Sequence, residues 1–213
     1  MTGLRNAKAF FDEVRDNDLL GPTLSADEVK GCNALLAAFG GANWPLSWAA
    51  YGFGTAMLET AGTMLPISEY GGNEYKRRLY DITGTRPTLA AKMGNTAPGD
   101  GVKYAGRGYP QLTWKVNYQR ADRELSLNGA LVTNPDLAMR PDIAAKIMVL
   151  GMSEGWFTGK KLNDYLPRSL GNATVSEPSF VPCRKIINGQ DRAADVAHFA
   201  FRYQQALSAG GWA

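Results

Sequence analysis

The stretch that decides the fold is residues 44–70, WPLSWAAYGFGTAMLETAGTMLPISEY. In a chain in which 20% of the residues are charged, Glu59 is the only Asp, Glu, Lys, Arg or His within residues 31–68. Pro45 suits the first turn of a helix. Gly62 suits its end, because glycine adopts the left-handed cap conformation without strain. The stretch therefore predicts a mostly buried helix with Glu59 near its C-terminus.

Three features of this environment favour a protonated Glu59. They are burial, the absence of a cation nearby in the sequence, and the negative end of the helix dipole. A carboxylic acid that keeps its proton near neutral pH is what a general acid needs. The alternative is a structural glutamate bonded to backbone amides or to an arginine from elsewhere in the chain. The stretch alone supports the two interpretations equally.

Composition limits the classes of function. A chain of 213 residues that is 45% hydrophobic has enough apolar material for one domain, or for a domain with a small lobe. The net charge is +3, and the basic residues are scattered apart from short clusters such as residues 76–78 and 160–161. No basic and aromatic recognition motif accompanies them, so we expect a solvated surface and no nucleic-acid partner.

The cysteines and the histidine do not form a recognisable reactive site. Cys32 and Cys183 lie far apart, with no metal-ligand spacing and no disulfide framework. Cys32 falls on the apolar face of a predicted helix, which indicates a core position. His198 is the only histidine and lies within an amphipathic segment, whereas zinc hydrolases use two or three histidines. We therefore expect no metal and no cofactor.

The first 18 residues lack the apolar region of a secretory signal peptide, so we expect none. No window of 18 consecutive apolar residues predicts a membrane-spanning helix, so we expect no membrane insertion.

Apolar periodicity predicts a mainly α chain without a clear strand. The pattern Ser25-Ala-Asp-Glu28 predicts a capping box at the start of the second helix. Thr113 is expected to cap a later helix. Beside the central helix, the predicted helices cover residues 5–18, 26–39, 74–82, 113–127, 141–154 and 191–207. The segments 66–72, 83–110 and 167–182 are predicted as irregular.

The residue inventory leaves carboxylate chemistry as the strongest enzymatic hypothesis. Hydrolysis of a glycosidic bond requires two carboxyl groups that flank it. Glu59 is the candidate acid. The candidates for the second carboxylate follow it in the chain: Glu69, Glu74, Asp81 and Asp100.

Three segments carry a resemblance to a known family. LETAGT at residues 58–63 resembles a helix end of the family 19 glycoside hydrolases, and residues 99–118, GDGVKYAGRGYPQLTWKVNY, resemble that family's GRG, QLT and NY signature. Residues 186–207 resemble its closing ING turn and helix. The segments FFDEVRDN at residues 10–17 and SEYGGNEYKRRLYDITGTRP at residues 68–87 are similar to the phage-endolysin branch rather than to plant chitinases.

The resemblance implies a lysozyme-like, mainly α fold with a substrate cleft between two lobes. We expect one catalytic domain over residues 1–213, with the N-terminal helices of residues 1–41 packed on a core of residues 42–213. It also implies cleavage of β-1,4 bonds in a polymer that contains N-acetylglucosamine. Glu59 matches the general acid, and Thr113 matches the hydroxyl that holds the attacking water. The substrate-binding positions that it implies are Gln111, Asn117, Tyr109, Asn188 and Arg107.

Leu58 and Arg107 bear on the comparison with the family. Leu58 stands where many family members have a histidine, which should tune the site rather than abolish it. For Arg107, an ion pair within the fold is the favoured interpretation, with pairing to a cleft carboxylate as the alternative.

Glu69 is the predicted second carboxylate because a glutamate stands at about this spacing in the phage branch. Asp81 is the rival, since plant members place their base near that offset. The family inverts the anomeric centre, so the two carboxyl groups should lie ~6.5–9.5 Å apart, with a water molecule between them.

The sequence therefore predicts an endolysin that hydrolyses the β-1,4 bonds of the peptidoglycan glycan strand and lyses the bacterial cell. The alternatives are a chitinase, a lytic transglycosylase that uses Glu59 alone, and a non-catalytic wall-binding module. The retained Glu59, Gln111 and Thr113 argue against the last. We expect a monomer that stays in the host cytoplasm until a separate holin releases it to the periplasm and cell wall.

Overall fold

The computed structural model describes residues 2–213, and the fold is mainly helical, as predicted, with 58% of the residues in helices and 2% in strands. In chain order the α-helices are α1 (Ala7–Asp16), α2 (Ala26–Gly41), α3 (Leu46–Glu59), α4 (Asn73–Tyr80), α5 (Pro87–Lys92), α6 (Asp100–Lys103), α7 (Lys115–Glu124), α8 (Ala130–Thr133), α9 (Pro141–Glu154) and α10 (Ala193–Ala209). Short 3₁₀ helices cover Pro135–Met139, Leu162–Asp164, Arg168–Leu170 and Glu177–Ile186. Among residues 2–213, no helix has the length and apolar character needed to cross a bilayer.

The chain divides into two compact units. The first, which we call the helical unit, contains residues 2–65 and Met148–Ala213. The second, the loop-rich unit, is Pro66–Ile147. A single catalytic domain over residues 1–213 stays a prediction.

The helical unit is built around α3, the helix that residues 44–70 predicted. Leu46 to Ala56 are all buried, and α3 packs along α10. Gly54 sets their separation, because a Cβ atom there would lie 2.7 Å from the backbone nitrogen of Ala200 and 2.8 Å from the carbonyl oxygen of Val196. The helix ends at Glu59, three residues before Gly62, whose φ is +84°.

Aromatic rings fill the space around α3. The rings of Phe39 and Trp44 stack with centroids 4.5 Å apart, and those of Phe53 and Tyr203 stack at 4.8 Å. Such pairs contribute ~0.5–1.5 kcal/mol beyond their area burial. The N-terminal helices belong to the same unit, because α1 packs on α10 and α2 packs on α3. The predicted capping box of α2 is confirmed, with Ser25 and Glu28 each accepting from the other's backbone N–H.

The loop-rich unit contains more regular structure than the sequence indicated. The segment 83–110, predicted as irregular, includes α5, α6 and a strand, β2 (Arg107–Gly108). Strand β2 pairs in an antiparallel manner with β1 (Ile67–Ser68). Helices of four to six residues and strands of two residues are too short to show a hydrophobic period, which is why they escaped prediction. The predicted loop at 167–182 is likewise partly 3₁₀ helix, at Arg168–Leu170 and from Glu177 onward.

The contact between α3 and α10 predicts a stability difference between two glycine substitutions. Gly54→Ala should lower the free energy of unfolding by ~1–3 kcal/mol, because the new methyl group meets backbone atoms of α10 that cannot move independently. Gly41→Ala is the control, since a Cβ atom at this helical position meets nothing within 4 Å. It should leave stability unchanged or raise it by up to ~1 kcal/mol. Urea unfolding followed by circular dichroism measures both, and equal effects would contradict the role assigned to Gly54.

Candidate active site

Glu59, the last residue of α3, forms an ion pair with Arg184. The guanidinium donates from Nη1 to Oε1 of Glu59 at 2.5 Å, and its Nε donates to the carbonyl oxygen of Asp191 at 2.9 Å. Arg184 is buried, whereas 21% of the Glu59 side chain is exposed. No cation lies near Glu59 in the sequence, and the contact is the one that the alternative interpretation described, an arginine from elsewhere in the chain. The cation comes from a residue 125 positions later, brought there by the fold.

The face of α3 that ends at Glu59 carries a polar stripe that the sequence analysis missed. Ser47, Tyr51 and Thr55 precede Glu59 at intervals of four residues, and all three are buried. Residues four apart lie one above the other on a helix. Burial raises the pKa of the Tyr51 phenol well above its usual range, so this hydroxyl keeps its proton. The spacing of these residues was a signal available in the sequence.

Glu69 directly follows β1, and hydrogen bonds hold its carboxylate in place. The Tyr80 hydroxyl donates to Oε1 at 2.6 Å, and the backbone N–H of Gly106 donates to Oε2 at 3.1 Å. The backbone N–H of Glu69 in turn donates to the carbonyl oxygen of Gly106 at 2.8 Å. A carboxylate has about four acceptor positions, so two remain for other donors such as water. Burial, reinforced by the bond to Glu69, raises the pKa of Tyr80, which therefore stays a donor.

Asp81, the rival for the second carboxylate, has a structural environment. It is 1% exposed, and its Oδ2 accepts from the backbone N–H groups of Gly99 at 2.8 Å and Gly101 at 3.0 Å. Its Oδ1 accepts from both the backbone N–H and the hydroxyl of Thr83. Burial acts to raise the pKa of Asp81, but these hydrogen bonds outweigh it and lower the pKa. With four donors already bound, this carboxylate has no acceptor position left for a water molecule.

The two remaining candidates for the second carboxylate also differ from Glu69. Asp100 accepts from the backbone N–H groups of Thr96 and Ala97 and lies 3.3 Å from Nζ of Lys115. It therefore holds a turn together. Glu74 is exposed on α4, without a hydrogen bond among residues 2–213 that would fix it.

Gln111 braces the short sheet beside Glu69. Its Nε2 group donates to the carbonyl oxygens of Ile67 at 3.0 Å and Gly108 at 3.3 Å. A Cβ atom at Gly106 would lie 2.6 Å from Oε1 of Gln111 and 3.2 Å from Oε2 of Glu69, so only glycine fits between them. The amide donors of Gln111 are engaged, which leaves its oxygen for a sugar, and its predicted role in substrate binding stays a prediction.

Thr113 and Asn117 form a second hydrogen-bonded pair in the loop-rich unit. The Thr113 hydroxyl donates to the carbonyl oxygen of Gln111 at 2.8 Å, and Nδ2 of Asn117 donates to the carbonyl oxygen of Thr113 at 2.7 Å. The expectation that Thr113 caps its helix was wrong, because α7 begins at Lys115 and its N-cap residue is Trp114. The hydroxyl oxygen of Thr113 keeps its lone pairs, so it can accept a hydrogen bond from water.

The other predicted substrate-binding residues occupy different environments. Arg107 pairs with Asp136 at 2.8 Å and also donates to the carbonyl oxygens of Lys103 and Ala105. These contacts agree with the favoured interpretation of an ion pair within the fold. Tyr109 is fully buried, so a sugar could reach it only if its surroundings moved. Asn188 is exposed and accepts from the backbone N–H of Gly189.

The two cysteines and the histidine are not arranged as a reactive site. Burial raises the pKa of both Cys32 and Cys183 to about 12, which keeps each thiol protonated and weakly nucleophilic. His198 is about half exposed, 3.5 Å from Glu177. Within residues 2–213, no group of three or more His, Cys, Asp or Glu side chains is arranged to hold a metal ion.

Comparison with solved structures identifies the fold. Chitinase C from Streptomyces griseus HUT6037 superposes with a TM-score of 0.61 over 94% of this chain and 78% of that chain, at 20% sequence identity. A mutant of chitinase C gives the same values. A bacterial family 19 chitinase superposes with a TM-score of 0.53 over 92% of this chain and 93% of that chain, also at 20% identity.

This chain has the fold of the family 19 chitinases. At this level of identity the likeness concerns the fold alone. No protein-family model matches the sequence, and no curated protein matches it.

The fold assembles the predicted residues in two groups. The loop-rich unit holds Glu69 with Tyr80, and Gln111 with Thr113 and Asn117. The helical unit holds Glu59 with Arg184. Arg184 and Tyr80 were missed by the sequence analysis, because nothing in their local sequence distinguishes them from other buried or surface residues. The predicted spacing between the carboxylates of Glu59 and Glu69 stays a prediction.

The hydrogen bonds of Asp81 predict a loss of stability in Asp81→Asn. The NH2 group of the new asparagine would face the donors of either Thr83 or the two glycines, so those hydrogen bonds would be lost. The free energy of unfolding should fall by about 1–3 kcal/mol. Because the folded pKa of Asp81 is lowered, its contribution is present above the unfolded value near 3.8 and disappears as the pH falls through the folded value.

The measurement is urea unfolding of both proteins between pH 7 and pH 3. The gap between the wild-type protein and Asp81→Asn should be largest near neutrality and should narrow below about pH 4. Glu69→Gln is the control. Its stability should differ less from that of the wild-type protein, since Glu69 is half-buried and its carboxylate accepts two hydrogen bonds rather than four. A gap that stays constant with pH would contradict the role assigned to Asp81.

Proposed function

We propose that this chain is an endolysin that hydrolyses β-1,4 glycosidic bonds of the peptidoglycan glycan strand by inverting acid–base catalysis. The observation that carries the proposal is the contact between Glu59 and Arg184, which orients a half-buried carboxyl group through one of its two oxygens. The shared fold supports the reaction class, since all three reported fold neighbours are named as chitinases.

In the acid step, Glu59 gives its proton to the leaving-group oxygen. Arg184 binds Oε1, and no hydrogen bond among residues 2–213 occupies Oε2. Oε2 is therefore the oxygen that can pass a proton to the leaving group. Once the proton has left, Arg184 stabilises the carboxylate that remains, which favours the transfer.

In the base step, Glu69 takes a proton from the attacking water. Tyr80 and Gly106 fix the direction of its carboxylate before substrate arrives, so little reorganisation is needed. Thr113 accepts a hydrogen bond from the same water and so orients it. Gln111, Asn117 and Asn188 contribute neutral amide groups, which suit the hydroxyl and N-acetyl groups of a sugar.

Two other activities remain as alternatives. A chitinase would use the same carboxylates on a neutral polymer, and the names of the fold neighbours favour it. A lytic transglycosylase would use Glu59 alone and release a 1,6-anhydro sugar. The ordered carboxylate of Glu69 favours hydrolysis over this second alternative, because a transglycosylase needs no base for water.

The proposal includes a biological setting. The protein acts as a monomer on the peptidoglycan strand and inserts in no membrane. It stays in the cytoplasm of the bacterial host until a separate holin lets it reach the periplasm and the cell wall.

Glu59→Gln should remove nearly all activity. General acid catalysis contributes typically ~10²–10⁴-fold, and an amide cannot supply the proton. Product formation from purified peptidoglycan, followed by liquid chromatography, measures the loss. Glu124→Gln, which changes an exposed carboxylate on α7, is the control and should retain full activity. A folded Glu59→Gln protein with more than about a tenth of the wild-type turnover would refute the assignment.

Glu69→Gln should abolish hydrolysis, whereas Asp81→Asn should retain most turnover at a temperature where it stays folded. The first product should be the α-anomer, because water attacks from the face opposite the leaving group. Proton NMR of the first minutes of reaction reports the anomer. An inactive Asp81→Asn beside an active Glu69→Gln would reverse the assignment. A 1,6-anhydro product would instead support the transglycosylase.

A further inference from the structure

A basic pocket lies on the loop-rich unit. It has a volume of about 420 Å³ and is open to solvent. Its walls are one face of α4 and the turn that follows it: Glu74, Arg77, Arg78, Thr83, Gly84 and Thr85. This is the basic cluster of residues 76–78 that the sequence analysis treated as ordinary surface.

The backbone of this pocket is held rigidly. Asp81 binds the N–H and hydroxyl of Thr83 and ties them to Gly99 and Gly101. Thr85 donates both its N–H and its hydroxyl to the carbonyl oxygen of Arg78. The buried carboxylate that the sequence offered as a catalytic base therefore serves to build the wall of the pocket.

The two arginine side chains are available for a ligand. Both are exposed, and neither forms an ion pair with a carboxylate among residues 2–213. The Arg78 guanidinium lies 5.8 Å from the ring centroid of Tyr75, which orients it by a cation–π contact. Glu74 is the only acidic residue in the lining, so the pocket carries a net positive charge.

The position of the pocket relates it to the candidate base. Arg77 precedes Tyr80 by three residues on α4, so the two side chains lie about one helical turn apart, ~5 Å along the axis. Tyr80 donates to Glu69. A ligand held by Arg77 and Arg78 would therefore lie close to the part of the unit that positions Glu69.

We propose that this pocket binds the carboxylates of the acidic stem peptide that branches from the peptidoglycan strand. The inference rests on the proposed function and deepens it, because it assigns a feature that distinguishes peptidoglycan from chitin. Chitin is neutral and offers an arginine pocket no partner. A stem peptide carries several carboxylates, and guanidinium groups bind carboxylates through paired, charge-assisted hydrogen bonds.

The kinetic test compares two substrates that differ only in the peptide. One is soluble glycan strands with their stem peptides. The other is the same strands after an amidase has removed the peptides and the lactyl carboxylates exposed by that cleavage have been capped as methylamides. Arg77→Gln with Arg78→Gln should raise KM on the first substrate by about tenfold and leave kcat unchanged. On the second substrate, both constants should stay at the wild-type values.

The matched control is Lys160→Gln with Lys161→Gln, which removes the same two charges from the chain's other exposed basic cluster. It should change neither constant on either substrate. Equal losses on both substrates, no loss on the first, or an equal effect of the lysine variant would each overturn the proposal.

A binding measurement separates this proposal from the proposed function. The probe is the acidic stem tetrapeptide released by the amidase, titrated into the wild-type protein and followed by NMR chemical shifts. Binding that disappears in the double arginine variant, and with a peptide whose carboxylates are amidated, supports the pocket even if no glycan is cleaved. If the wild-type protein does not bind the peptide, the pocket assignment is wrong, whatever the enzyme activity.

Discussion

The close packing of α3 against α10 is the constraint on which the helical unit depends. Gly54 lets the backbone of α10 approach α3 at Val196 and Ala200, to a distance that any side chain would prevent. The 3₁₀ helix Glu177–Ile186 packs on α10 in turn and carries Arg184. The contact between Arg184 and Glu59 is therefore a consequence of helix packing. Because both backbones are held by buried surface, the carboxyl group is oriented before any substrate binds.

Hydrogen bonds between polar side chains and the backbone support the loop-rich unit. Its helices and strands are short, and its backbone is held by buried polar side chains. Asp81 accepts four hydrogen bonds from three residues, and Gln111 bridges the two strands beside Glu69. Each bond contributes only ~0.5–1.5 kcal/mol net, but leaving such a buried group unpaired costs more. The network therefore helps to specify one arrangement of the loops.

The two units use charge in contrasting ways. In the helical unit a buried arginine pairs with one partly buried carboxyl group. In the loop-rich unit the exposed Arg77 and Arg78 have no carboxylate partner among residues 2–213, and the proposed role of their charge is to select a substrate. A polymer that is neutral along its backbone and acidic in its branches would engage both features. A fold shared with chitinases is therefore compatible with the proposed preference of this chain for peptidoglycan.

The sequence by itself determined the helical class, the buried helix around Glu59 and the capping box at Ser25, because helical periodicity and capping depend on residues within a few positions of each other. It also favoured Glu69 over Asp81 as the second carboxylate, but only through the resemblance to the phage branch. Only the tertiary structure showed that Asp81 is saturated with donors while Glu69 keeps acceptor positions. It alone brought Arg184 to Glu59 across 125 residues and Tyr80 to Glu69. Hydrogen bonds and ion pairs act over a few ångströms in space, and separation along the chain does not encode that distance.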